Sequence, residues 1–115
     1  MTVTIYHNPR CSKSRATLAL LEARGLMPKI VNYLETPPSA AELTAILRKL
    51  GLRPRDLLRT GEALYAELGL KAGERDDAAL IALMVANPIL IERPIVIAGD
   101  RAAIGRPPER VLEIL

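Results

Sequence analysis

The chain has no tryptophan and no phenylalanine, and its aromatic residues are three tyrosines, Tyr6, Tyr33 and Tyr65. So small a set excludes a row of stacking platforms for nucleobases. The net charge is +3, yet no block of Lys or Arg occurs anywhere along the chain. A nucleic-acid partner is therefore not expected. The excess charge suits small oxyanions better, with most arginines serving as a solvated basic surface. The longest apolar run, Ala78 to Ala86, is too short to cross a bilayer, so no membrane partner is expected. Met1 leads directly into an apolar strand, and no secretory leader is expected. There is one cysteine, Cys11, and one histidine, His7. A lone cysteine closes no internal disulfide, which fits a reducing compartment and a cytoplasmic location. No metal site and no bound cofactor are expected.

What is present suits one domain over residues 1–115: half of the residues are hydrophobic, enough for a core without staples. Val3 to Tyr6 reads as a strand, residues 12 to 24 as a helix stopped by Gly25, and Lys29 to Tyr33 as a second strand. Strand, helix and strand in so short a span predict a right-handed βαβ unit with parallel strands. Ser39 and Glu42 have capping-box spacing after Pro37-Pro38, and Gly51 ends the helix they open. Arg55 to Leu58 reads as a helical turn and Gly61 to Leu68 as a helix. Asp76 is placed to cap another through Ala86, stopped near Asn87-Pro88. Pro94 to Ile97 reads as a strand, Gly99-Asp100 as a two-residue hairpin turn, and Arg101 to Ile104 as the return strand. Pro107-Pro108 suits the first turn of a last helix, Glu109 to Leu115. The order, βαβ and then ββα, predicts an α/β thioredoxin-like fold with a mixed sheet and a helical insertion over about residues 37–91.

Cys11 lies in His7-Asn8-Pro9-Arg10-Cys11-Ser12-Lys13-Ser14-Arg15, where a strand turns into a helix. The unpaired N–H groups of a helix N-terminus and the charges of Arg10, Lys13 and Arg15 all favour thiolate over thiol. The thiolate is the nucleophile, so Cys11 is the candidate catalytic residue. Cys11-Ser12-Lys13-Ser14 has the form CxxS, and an oxidised Cys11 would need an external thiol. A phosphatase-type Cys-x5-Arg loop would need arginine where Thr17 stands, which argues against that chemistry. His7 could orient the loop or supply a hydrogen bond. Ser14 could donate to the sulfur or cap the helix, and Asn8 is suited to hold the turn. Arg59, Arg93 and Arg106 sit at the edges of predicted elements. Guanidinium groups bind tetrahedral oxyanions through paired, charge-assisted bonds, and Arg93, before the third strand, could reach the Cys11 loop.

These residues, with Tyr33-Leu34-Glu35-Thr36-Pro37-Pro38, Leu57-Leu58-Arg59, Asn87-Pro88-Ile89-Leu90, Glu92-Arg93-Pro94-Ile95-Val96 and Arg106-Pro107, resemble the glutaredoxin-coupled arsenate reductase family along nearly the whole chain. The resemblance implies a thioredoxin-like fold, Cys11 as the catalytic cysteine and Arg59, Arg93 and Arg106 as oxyanion-binding residues. It makes His7 and Ser14 neighbours of the thiolate, adds Asn8 and Arg15 to the supporting loop, and puts Pro94 at the cis-proline position of thioredoxin folds. It implies arsenate or a related oxyanion as substrate, glutathione as co-substrate and glutaredoxin as partner. A general glutathione-dependent thiol oxidoreductase is the alternative suggested by CxxS. A more distant one is a transcription regulator resembling the Spx group, whose CxxC switch would here have Ser14 at its second cysteine.

Overall fold

Val3, Ile5 and His7 are buried and alternate with less buried Thr4 and Tyr6 along β1 (Val3–His7), the period-two pattern of a strand with one face in the core. The computed structural model describes residues 2–115. The chain divides into two compact units, Met1–Thr36 together with Arg93–Leu115, and Pro37–Glu92.

In the first unit β1 leads into α1 (Ser12–Ala23) and β2 (Lys29–Asn32). Gly25 ends the α1 turn at φ 75°, and the Gly25 and Leu26 N–H groups donate to the Glu22 and Leu21 carbonyls. This is the paired closure that a left-handed residue permits. β1 and β2 run parallel, with Ile5 opposite Ile30 and His7 opposite Asn32. β3 (Ile95–Ala98) and β4 (Arg101–Ile104) form a hairpin across Gly99-Asp100, and β3 lies antiparallel to β1 with Ile5 opposite Val96. The four-stranded order is β2-β1-β3-β4. Val3, Ile5, Leu21, Val96, Ala98, Val111 and Ile114 form one buried cluster between sheet, α1 and the C-terminal segment. This is the mixed, thioredoxin-like arrangement that the sequence predicts.

The last segment departs from expectation: Pro108–Ile114 is a 3-10 helix and not an α-helix. The burial pattern fits it. Pro108, Val111 and Ile114 are the buried residues, three apart, and a 3-10 helix aligns such positions on one face. Other boundaries move slightly. Tyr33 is buried but lies beyond β2, β1 extends through His7, and β3 begins at Ile95 with Pro94 outside it.

The second unit contains α2 (Ala40–Leu50), α3 (Ala63–Glu67) and α4 (Asp77–Ala86), joined by 3-10 turns at Pro54–Leu57, Leu70–Ala72 and Pro88–Leu90. The capping box forms in full: Glu42 N–H donates to Ser39 Oγ at 3.1 Å, and Ser39 N–H donates to Glu42 Oε1 at 3.0 Å. Asp76 Oδ1 accepts from Ala79 N–H at 2.8 Å at the start of α4. The helix expected over Gly61 to Leu68 is shorter, because its first turn is not helical and Gly69 at φ 64° stops it. α2 and α4 pack together, and Leu43, Ile46, Leu47, Leu80 and Met84 are buried. An antiparallel bridge pairs Leu58 with Ile91 and ties the two ends of this helical region.

Candidate active site

Cys11 is the N-cap of α1, with an extended backbone, and no side chain caps the helix. The chain reaches this position through a turn closed by Cys11 N–H donating to the Asn8 carbonyl at 3.0 Å. Asn8 Oδ1 accepts the Arg10 N–H at 3.0 Å, the local turn bond that asparagine is suited to make. Arg15 Nη1 donates to the Pro9 carbonyl at 3.0 Å and fastens the loop from outside. The sulfur is thus placed over the free N–H groups of the first helical turn.

Ser14 does neither of the two things its position suggested. Its side chain is fully buried, and Oγ accepts the Asn8 N–H at 3.0 Å and lies 2.6 Å from His7 Nδ1. It therefore knits the end of β1 to the first turn of α1. His7 is itself buried. Burial first, and then the Arg15 charge, hold its pKa below the ordinary imidazole value, so at neutral pH it serves as a neutral hydrogen-bonding group.

Two guanidinium groups reach the thiol. Arg106 Nη2 lies 3.5 Å from Cys11 Sγ, while Arg106 Nε donates to the Arg93 carbonyl at 2.7 Å. The Arg93 side chain, itself buried, also favours the thiolate form of this sulfur. Partial burial of the thiol pushes its pKa up. The Ser14 N–H, the Arg93 guanidinium, the Lys13 N–H and the Arg106 charge together outweigh that effect, and the net pKa is lowered. The peptide bonds preceding Pro94 and Pro107 are both cis; the sequence pointed to the first position and not to the second.

The first unit therefore brings Cys11, His7, Asn8, Ser14, Arg15, Arg93, Pro94 and Arg106 to one end of the sheet. Arg59 belongs to the second unit, where its Nη1 lies 2.9 Å from Glu92 Oε1 and its Nε 3.3 Å from Glu62 Oε1. These two glutamates were not singled out from the sequence. The main-chain N–H groups of Lys13 and Ser14 were foreseen only as a generic helix N-terminus. Among the described residues no group of three His, Cys, Asp or Glu side chains is placed to hold a metal ion, and no helix is long and apolar enough to cross a membrane.

The arrangement provides a stabilised thiolate with charged donors converging on it. Such a site favours attack on a centre that carries oxyanions or gathers negative charge during attack. The uncharacterized protein YfgD of Escherichia coli K12 is 56% identical over 98% of this chain and 96% of its own length. The arsenate reductase of Haemophilus influenzae is 53% identical over 100% of both chains. The solved structure of an arsenate reductase from Vibrio cholerae covers 100% of this chain and 98% of its own, at 54% identity and a TM-score of 0.97. Residues 6–114 match the ArsC family, and with full-length relatives at this identity the chain belongs to that family.

Proposed function

We propose that this protein is an arsenate reductase that uses Cys11 as its nucleophile. The observation that carries the reading is the Cys11 sulfur at the N-terminus of α1, 3.5 Å from Arg106 Nη2, where Arg93, Arg106 and the Lys13 and Ser14 N–H groups favour the thiolate. Full-length similarity to arsenate reductases supports it. In the proposed reaction the thiolate attacks the arsenic of arsenate, and one oxygen, protonated, leaves as water or hydroxide. The arginines offset the oxyanion charge and the charge that develops during attack. Arg59 is proposed as the third oxyanion-binding guanidinium, on the strength of the resemblance.

Glutathione is proposed to add next. Its thiolate displaces a second oxygen from arsenic, giving an adduct in which sulfur from Cys11 and sulfur from glutathione both bind As(V). A glutaredoxin thiol then attacks the glutathione sulfur. The sulfur–arsenic electron pair stays on arsenic, which is reduced to As(III), and the glutathione and glutaredoxin sulfurs leave joined as a mixed disulfide. Hydrolysis of the remaining sulfur–arsenic bond frees arsenite and regenerates the Cys11 thiolate. A lone cysteine fits this scheme because both electrons come from outside the chain. A cytoplasmic setting, where glutathione is kept reduced, goes with it.

The test is NADPH oxidation in a coupled assay with arsenate, glutathione, glutaredoxin and glutathione reductase, run on wild type and Cys11→Ser. Arsenate-dependent turnover that disappears in the variant is expected. Turnover of a glutathione mixed disulfide with none on arsenate would replace this reading with that of a general thiol oxidoreductase.

A further inference from the structure

Gly105, between β4 and Arg106, differs from every other glycine in the chain. The others have open space where a side chain would be, or a positive φ that explains them. Gly105 has no left-handed backbone to explain it, and its Cβ position is filled. A Cβ built there would stand 2.9 Å from Pro94 Cγ and 3.2 Å from Thr17 Cγ2, with Thr17 Oγ1 nearer still. The lack of a side chain therefore serves close approach and not backbone conformation.

The three groups that meet here each precede or support one part of the thiolate site. Thr17 lies on α1, whose N-terminus presents Cys11. Pro94 follows Arg93, and Gly105 precedes Arg106. Hydrogen bonds lock the contact from both sides. Gly105 N–H donates to the Pro94 carbonyl at 3.0 Å, and Arg106 N–H donates to the Ile104 carbonyl at 2.9 Å. Thr17 is fully buried, and its hydroxyl donates to the Lys13 carbonyl at 2.8 Å, so it is held in place. Arg106 then extends from this anchored backbone, touching the Arg93 carbonyl with Nε and the Cys11 sulfur with Nη2.

We propose that Gly105 is a positioning residue: its bare backbone seats against Thr17 and Pro94 and sets the reach of the Arg106 guanidinium to Cys11. The inference rests on Arg106 as a partner of the thiolate; it does not require arsenate as the substrate. A methyl group at 105 would push the backbone off α1 and carry Arg106 away from the sulfur, because interiors this close-packed have no slack to absorb it.

The test reads the thiolate directly through the iodoacetamide alkylation rate of Cys11 as a function of pH. Gly105→Ala is expected to slow alkylation at neutral pH by about threefold or more, through a smaller thiolate fraction. Thr17→Ala in the same chain, which removes two of the three close contacts and leaves the one to Pro94 Cγ, is expected to restore the rate in part. In an Arg106→Ala background, Gly105→Ala is expected to change nothing further. A folded Gly105→Ala protein with the wild-type profile would overturn the proposal, as would a slowing that persists undiminished without Arg106. Should Gly105→Ala fail to fold, Thr17→Ala alone reads the same contact: it opens the seat and slows alkylation only when Arg106 is present, and an unchanged rate overturns the proposal. Alkylation needs no oxyanion, so these outcomes are independent of whether arsenate is reduced.

Discussion

Arg106 Nη2 lies 3.5 Å from the Cys11 sulfur although 95 residues separate the two in sequence. The same guanidinium uses Nε to hold the Arg93 carbonyl at 2.7 Å. Two donors, set at a fixed angle by a planar group, are needed to make both bonds.

Arg106→Ala is therefore expected to lower kcat/KM for arsenate by roughly 10–100-fold, the equivalent of one hydrogen bond to a charged group. Arg106→Lys should recover little, because an ammonium is a point charge and does not span the carbonyl and the sulfur together. Steady-state kinetics on the two variants decides the matter. A lysine variant close to wild type would mean that charge alone is used and the fork geometry is not.

The Cys11 thiolate is favoured in the folded chain, so the rate of alkylation against pH should have its midpoint below the ordinary thiol value of about 8.5. Stability follows the same sign. Between the folded and the unfolded pKa the unfolded chain holds the extra proton, so stability rises with pH across that window. The contribution is complete above the unfolded value and is lost as pH falls through the folded one. Urea midpoints of wild type and Cys11→Ala should thus diverge as pH is raised from neutral toward about 8.5, wild type gaining. Parallel pH dependences in the two proteins would contradict a stabilised thiolate.

The sheet and the helix caps were legible in sequence because they rest on local signals. Alternation marked β1, Gly25 and Gly51 marked helix ends, and Ser39 with Glu42 marked a start. Cys11 was legible because its chemistry and its place at a strand-to-helix turn coincide. The pairing partner of Ser14 was not, since choosing His7 over the sulfur depends on where β1 ends against α1. Nor was the role of Gly105, whose neighbours Thr17 and Pro94 come from distant parts of the chain. The 3-10 form of Pro108–Ile114 could have been suspected from the three-residue spacing of its apolar positions, but that spacing also occurs in α-helices.

His7 supplies a second pH dependence, on the acid side. Burial and then the Arg15 charge lower its folded pKa, so the unfolded chain takes up a proton first as pH falls. Stability should be complete above about pH 6.5 and decline below it, until the folded pKa is passed. His7→Gln, which keeps a polar group beside Ser14, should flatten this part of the curve. Denaturant midpoints between neutral and weakly acid pH measure it. An equal decline in His7→Gln would assign the effect to other groups.

Arg59 gives the sharpest test of the oxyanion assignment, because its guanidinium already has two carboxylate neighbours. Glu92 at 2.9 Å and Glu62 at 3.3 Å are each about three-quarters buried with it. If Arg59 binds arsenate as proposed, the dianion competes with their negative charge. Removing one of those charges should therefore favour binding, while Arg59→Ala should weaken it. Glu92→Gln is expected to lower KM for arsenate by about threefold, with kcat moving less, since charge this close acts on binding of the anion in both ground and transition states. The stability change should stay within about 1 kcal/mol, as for partly exposed ion pairs. If KM in Glu92→Gln does not fall while Arg59→Ala still loses activity, Arg59 serves the packing of its own unit and the oxyanion is held by Arg93 and Arg106 alone.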